Sequence, residues 1–209
     1  MTASGSKSLP SIGFLTVREF DELGLIGGFL ILNTVGRPLE FHCTAPVRPN
    51  RSQEILYGPT LAPFLYGEQI GQTLVAKCRT KPLFICTDKA PVLSLREHID
   101  APVLLLDDLP DAEPSDPAGA VSRKLRVDDP HPTTLRSKTP ALRIFQLDRR
   151  TAAVAQRYSD DQEVILQRWR PYADELDLWE PFARLADAID EAQRGASQGP
   201  GTRDQRSGK

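Results

Sequence analysis

The sequence predicts an α/β fold: a mixed sheet built from an N-terminal β-hairpin, continued by helix-strand-helix-strand units and followed by a C-terminal helical pair. Three observations carry this reading. Residues 29–44 have the pattern of a hairpin. Two compact apolar runs, PLFICT at 82–87 and PVLLL at 102–106, alternate with stretches of helical period. Near the C-terminus Leu178, Phe182, Leu185, Ala186 and Ile189 recur at helical spacing.

Taken in order, residues 1–10 are small and polar and are expected to be disordered. Residues 12–17 form a short apolar run, either a first strand or a cover for the sheet edge. Residues 29–33 then read as the outgoing arm of the hairpin, 34–37 as its turn, with Gly36 supplying a permissive backbone, and 38–44 as the return arm. The outgoing arm has no polar alternation, as befits a strand covered on both faces. On the return arm Leu39, Phe41 and Cys43 alternate with Glu40, His42 and Thr44, which predicts one core face and one polar face.

Asn50 with Gln53 forms a capping-box pattern opening a short helix that Gly58-Pro59 stops. Thr60 is placed to cap a second helix, whose apolar positions run from Leu61 through Leu65, Ile70 and Leu74 to Cys78. Gly67 and Gly71, four apart, lie on one side of it and would let its backbone approach a strand. Residues 90–99 suit a short helix between the two apolar runs, and this alternation predicts parallel strands joined by right-handed crossovers.

The core domain is therefore assigned to residues 11–107, and 108–138 reads as an acidic-to-basic linker or long loop. Residues 125–127 and 142–147 could each add an edge strand. An edge strand and the helical pair occupy 139–194, with capping patterns at Ser159/Gln162 and Asp177/Glu180 and a kink or split expected at Pro171. From Gly195 to the end the chain reads as a flexible tail.

A chain of 209 residues with 40% hydrophobic and 26% charged residues is long and apolar enough for a sizeable core. No run approaches the roughly 18–20 apolar residues a membrane helix needs, and MTASGSKSLPS has no secretory design. Three cysteines do not make a disulfide framework and suit a reducing compartment, so a cytoplasmic location is expected. A net charge of −2 gives no overall attraction to nucleic acid, and the basic segment 123–157 carries few aromatics for base stacking.

The motifs of metalloproteases, serine hydrolases, P-loop proteins and dinucleotide enzymes are absent. His42 and Cys43 are neighbours on a strand and so point to opposite faces, which prevents them from pairing as base and nucleophile. His42, Cys43, Cys78 and Cys86 are zinc-ligand types without paired spacing, so no metal or cofactor is expected. Glu54 is a candidate general acid or base if a cleft perturbs it. Asp88 and the pair Asp107-Asp108 follow two strands expected to be parallel, where open sheets bind ligands.

Two functions compete. The first is a non-catalytic cytoplasmic interaction or regulatory module, with Trp169, Tyr172, Trp179 and Phe182 as anchors for a protein partner or a second copy. The second is a small enzyme with a pocket where His42, Glu54 and Asp88 converge, with a small molecule as its ligand. Neither membrane contact nor nucleic-acid binding is expected.

Overall fold

The structure is a computed structural model that describes residues 10–106, 140–148 and 150–197. It is α/β, with one seven-stranded mixed sheet in the order β3-β2-β1-β4-β5-β7-β6. The strands are β1 (Ser11–Phe20), β2 (Gly24–Asn33), β3 (Pro38–Cys43), β4 (Ile85–Thr87), β5 (Val103–Leu106), β6 (Leu142–Leu147) and β7 (Arg150–Ala155). β1 is antiparallel to β2 and parallel to β4, β4 is parallel to β5, and β7 runs antiparallel to both β5 and β6. No helix among the described residues is long and apolar enough to cross a membrane.

The hairpin is the second turn of a three-stranded meander. Residues 12–17 belong to a ten-residue strand at the middle of the sheet, paired along its whole length with β2. β2 is buried from Leu25 to Asn33, as its unbroken apolar run predicts. Alternate residues feed two cores: Ile26, Leu30 and Leu32 point one way, Leu25, Phe29 and Ile31 the other.

Each face carries a helical layer. On one side lies α1 (Arg51–Tyr57), then α2, the continuous helical stretch 61–77 whose middle, Phe64–Gln72, is π-helical, and the 3-10 helix Ala90–Glu97. On the other lie α3 (Asp161–Trp169), which ends in the 3-10 turn Arg170–Tyr172 where Pro171 splits the helix, and α4 (Glu180–Ser197). Gly27 and Gly28 show how closely the layers approach. A Cβ on Gly27 would strike Ile70 and Leu74 of α2, and one on Gly28 would lie 2.7 Å from Ile189 and 3.0 Å from Leu185 of α4.

Several sequence expectations are corrected. The return arm has no core face: β3 ends the sheet, Leu39 and Phe41 are 46% and 40% exposed, and a bulge opposite Ile31/Leu32 interrupts its register. Gly67 admits the 3-10 helix, not a strand, since a Cβ there would meet the Ser94 side chain and sit 2.7 Å from the Leu95 backbone nitrogen. Thr60 makes no cap with its side chain, and α3 follows Asp160 without a capping box at Ser159. Gly195 lies inside α4. The Asn50/Gln53 capping box is present, with Gln53 N donating to Asn50 Oδ1 at 2.9 Å and Asn50 N donating to Gln53 Oε1 at 3.0 Å. The linker 108–138, the edge strand at 125–127 and Asp107-Asp108 lie outside the described residues.

Gly67→Ala forces α2 and the 3-10 helix apart, because the obstructing atoms include backbone. It is expected to cost about 1–3 kcal/mol, typical of overpacking. A urea midpoint equal to wild type would show that the contact yields freely.

Candidate functional site

A cleft opens where β1 and β4 reach their carboxyl ends, the position at which open α/β sheets place ligands. It has a volume of about 460 Å³ and is lined by Thr16, Arg18 and Glu19 of β1, Tyr66 of α2, and Asp88 and Lys89 just beyond β4. The β1-β4 register sets Leu15 beside Thr87, which brings the next residues of both strands together. The Thr16 hydroxyl donates to Asp88 Oδ1 at 2.6 Å, and Lys89 Nζ pairs with Asp88 Oδ2 at 3.0 Å. Arg18 reaches Asp190 of α4 at 3.5 Å. The cleft thus presents both signs of charge beside the apolar Val17, Phe182 and Ala186. Asp88 has an oxygen on each of two partners and is held in place by them.

Tyr66 lines the same cleft. Burial, followed by the negative charges of Glu19 and Asp88, pushes its phenol up to about 12. Each of these causes disfavours the phenolate, so the neutral O–H persists in the cleft.

The sequence-predicted residues fall in separate places. His42 lies on β3 with its Nε2 3.3 Å from Glu40 Oε2. Glu54 lies on α1 and pairs with Arg51 at 3.0 Å. Asp88 lies in the cleft with Thr16 and Lys89. No hydrogen bond or ion pair among the described residues joins the three. Cys43 is opposite Gly28 and therefore faces α4, whereas His42 is opposite Phe29 and faces α2. Cys86 is wholly buried, and burial raises its thiol well above its ordinary value.

Among the aromatic candidates, Trp169 and Phe182 are 2% and 7% exposed and belong to the core under α3 and α4. Trp169 Nε1 donates to Asp148 Oδ2 at 2.5 Å, and Phe182 meets Phe14 edge-on at 5.7 Å between ring centres. Tyr172 and Trp179 are partly buried against the same core, with the Arg150 guanidinium 5.5 Å from the Trp179 ring centre.

Sequence reasoning missed Thr16, because a threonine inside an apolar run carries no signal until its partner Asp88 is seen across the β1-β4 pair. It also passed over Glu40. The period of two that puts Glu40 and His42 on one face was the available signal. Glu40 accepts from the backbone N–H of Thr80 at 2.6 Å and of Arg79 at 3.0 Å. Hydrogen bonding from the Thr80 side chain, then from the Arg79 backbone N–H, holds its carboxyl down at about 2.

The Tyr66 environment makes a pH prediction. Its folded value lies above the ordinary 10.0, so the stability tied to the protonated phenol is complete below about pH 10 and is lost as pH rises towards 12. In an ultraviolet titration one tyrosine should ionise near pH 12, and that component should vanish in Tyr66→Phe. Ionisation of every tyrosine together near pH 10 would contradict the burial. Comparison with known protein families and with curated protein sequences finds no match to this chain.

Proposed function

We propose that the protein is a non-catalytic cytoplasmic interaction module whose docking element is α1. One observation carries this reading: α1 buries none of its residues and holds Ile55 and Leu56 at 66% and 81% exposure. A seven-residue helix without a buried face is marginal in water. Its order comes from local devices instead: the Asn50/Gln53 capping box, the Arg51–Glu54 pair, and Tyr57 stacked on Phe64 at 4.3 Å. A cap of this kind contributes about 1 kcal/mol. The helix is thus preorganised while its two largest aliphatic side chains face water, the arrangement of a helix that inserts into an apolar groove on a partner protein. The three cysteines are free, which favours a reducing compartment.

A second reading, a small-ligand site, draws support from the β1-β4 cleft and keeps only Asp88 of the trio His42, Glu54 and Asp88. It requires a small charged ligand that raises the Tm of wild type and not of Asp88→Ala; a broad ligand screen without such a hit would sink it.

The docking reading is tested with Ile55→Lys/Leu56→Lys. Neither side chain is in the core, so the urea midpoint should stay within about 0.5 kcal/mol of wild type. Association, followed by sedimentation and by crosslinked capture from source lysate, should be lost. If wild type and variant show the same sedimentation and capture the same proteins, α1 is not the docking element.

A further inference from the structure

The geometry points to a zinc site formed by Glu40, His42 and Cys78, at the junction of β3 with the end of α2. One ligand atom from each side chain, a carboxylate oxygen, an imidazole nitrogen and the Cys78 sulfur, lies within 4.8 Å of the other two. Glu40 and His42 alternate along β3 and share its α2-facing side, opposite Ile31 and Phe29. Cys78 arrives from a distant part of the chain, as the first extended residue after Thr73–Lys77. The three are partly buried, neither sealed in the core nor fully exposed.

The donor set selects the metal. A thiolate, an imidazole and a carboxylate suit zinc, which takes nitrogen and sulfur ligands in tetrahedral geometry at about 2.0–2.3 Å. Ligand atoms around such an ion stand roughly 3.3–3.8 Å apart, so the three side chains, now within 4.8 Å of one another, would draw together on binding. Glu40 comes already oriented, because the backbone N–H groups of Arg79 and Thr80 hold its carboxylate in place, the kind of outer-shell support that metal ligands carry. Cys78 Sγ donates to Leu74 O at 3.4 Å, a contact that thiolate formation releases.

On binding, the Cys78 thiol gives one proton to solvent and forms the zinc–sulfur bond. Neutral His42 donates its Nε2 lone pair, Glu40 donates a carboxylate oxygen, and water fills the fourth position. No oxidation is involved. The expectation of no metal rested on the lack of paired ligand spacing, and here strand alternation and a helix end supply the geometry instead. Because the site faces α2 at the sheet edge and uses no residue of α1, it stands or falls apart from the docking proposal.

The test uses the full chain, stripped with chelator and desalted, with Co²⁺ as a spectroscopic probe and Zn²⁺ as competitor. The expected result is one Co²⁺ per chain with a thiolate-to-cobalt charge-transfer band and tetrahedral absorption, both displaced by Zn²⁺. Cys78→Ser, close in size to the native residue, should remove the band and weaken Zn²⁺ binding about 100-fold or more, and His42→Ala should weaken it by at least about tenfold. Cys43→Ser, whose side chain faces the other side of the sheet, should leave both intact. Absence of stoichiometric binding, or a band that survives Cys78→Ser, would overturn the assignment.

Discussion

The structure depends on burying β1 and β2 on both faces. A strand with no polar side must be covered twice, so the chain has to supply helices above and below the sheet. α2 and the 3-10 helix supply one cover, α3 and α4 the other. Gly27 and Gly28 sit where the covers come closest, and their lack of side chains lets Ile70 and Ile189 approach the same strand from opposite sides. Cβ atoms there would push both layers outward together.

Polar contacts then tie the layers across the sheet. Arg96 of the 3-10 helix grips Asp161 at the start of α3 with two hydrogen bonds, at 2.7 and 3.2 Å, and lies 4.6 Å from the Tyr158 ring centre. Asp161 is only 7% exposed. A paired charge at that depth costs desolvation, but removing one partner costs more, so the contact specifies where α3 docks rather than adding much net stability. This is how a helix with no capping box finds a fixed start.

Much of this was legible in the sequence, and the limits have physical causes. The unbroken apolar run of β2, the Asn50 cap, the two parallel strands and the helical period of α4 are local signals and appear as read. Edge or centre is not local. Leu39 and Phe41 have the alternation of a core strand, yet nothing in 38–44 records that no further strand lies beyond it. Conversely, residues 12–17 look like a fragment because Arg18 and Glu19 break the apolar pattern just where the strand emerges towards the cleft. Trp169 and Phe182 carry the same composition signal whether they meet a partner or their own sheet. Of the site residues, Asp88 could be placed from its position after a strand. Thr16, and the meeting of Cys78 with Glu40 and His42, needed the register.

The π-helical stretch Phe64–Gln72 sets the angular phase of everything after it in α2. In an α-helix each residue turns the chain by about 100°, so a π segment delays the rotation of the residues that follow. Deleting one residue there turns everything that follows by roughly 80–100° unless a π turn tightens to an α turn, so the phase of Leu74 and Cys78 depends on the number of residues in the segment. Length in this segment is therefore a constraint separate from composition. Substitutions at its exposed positions Glu68, Gln69 and Gln72 can be absorbed, whereas Gly67 takes no side chain without moving the 3-10 helix.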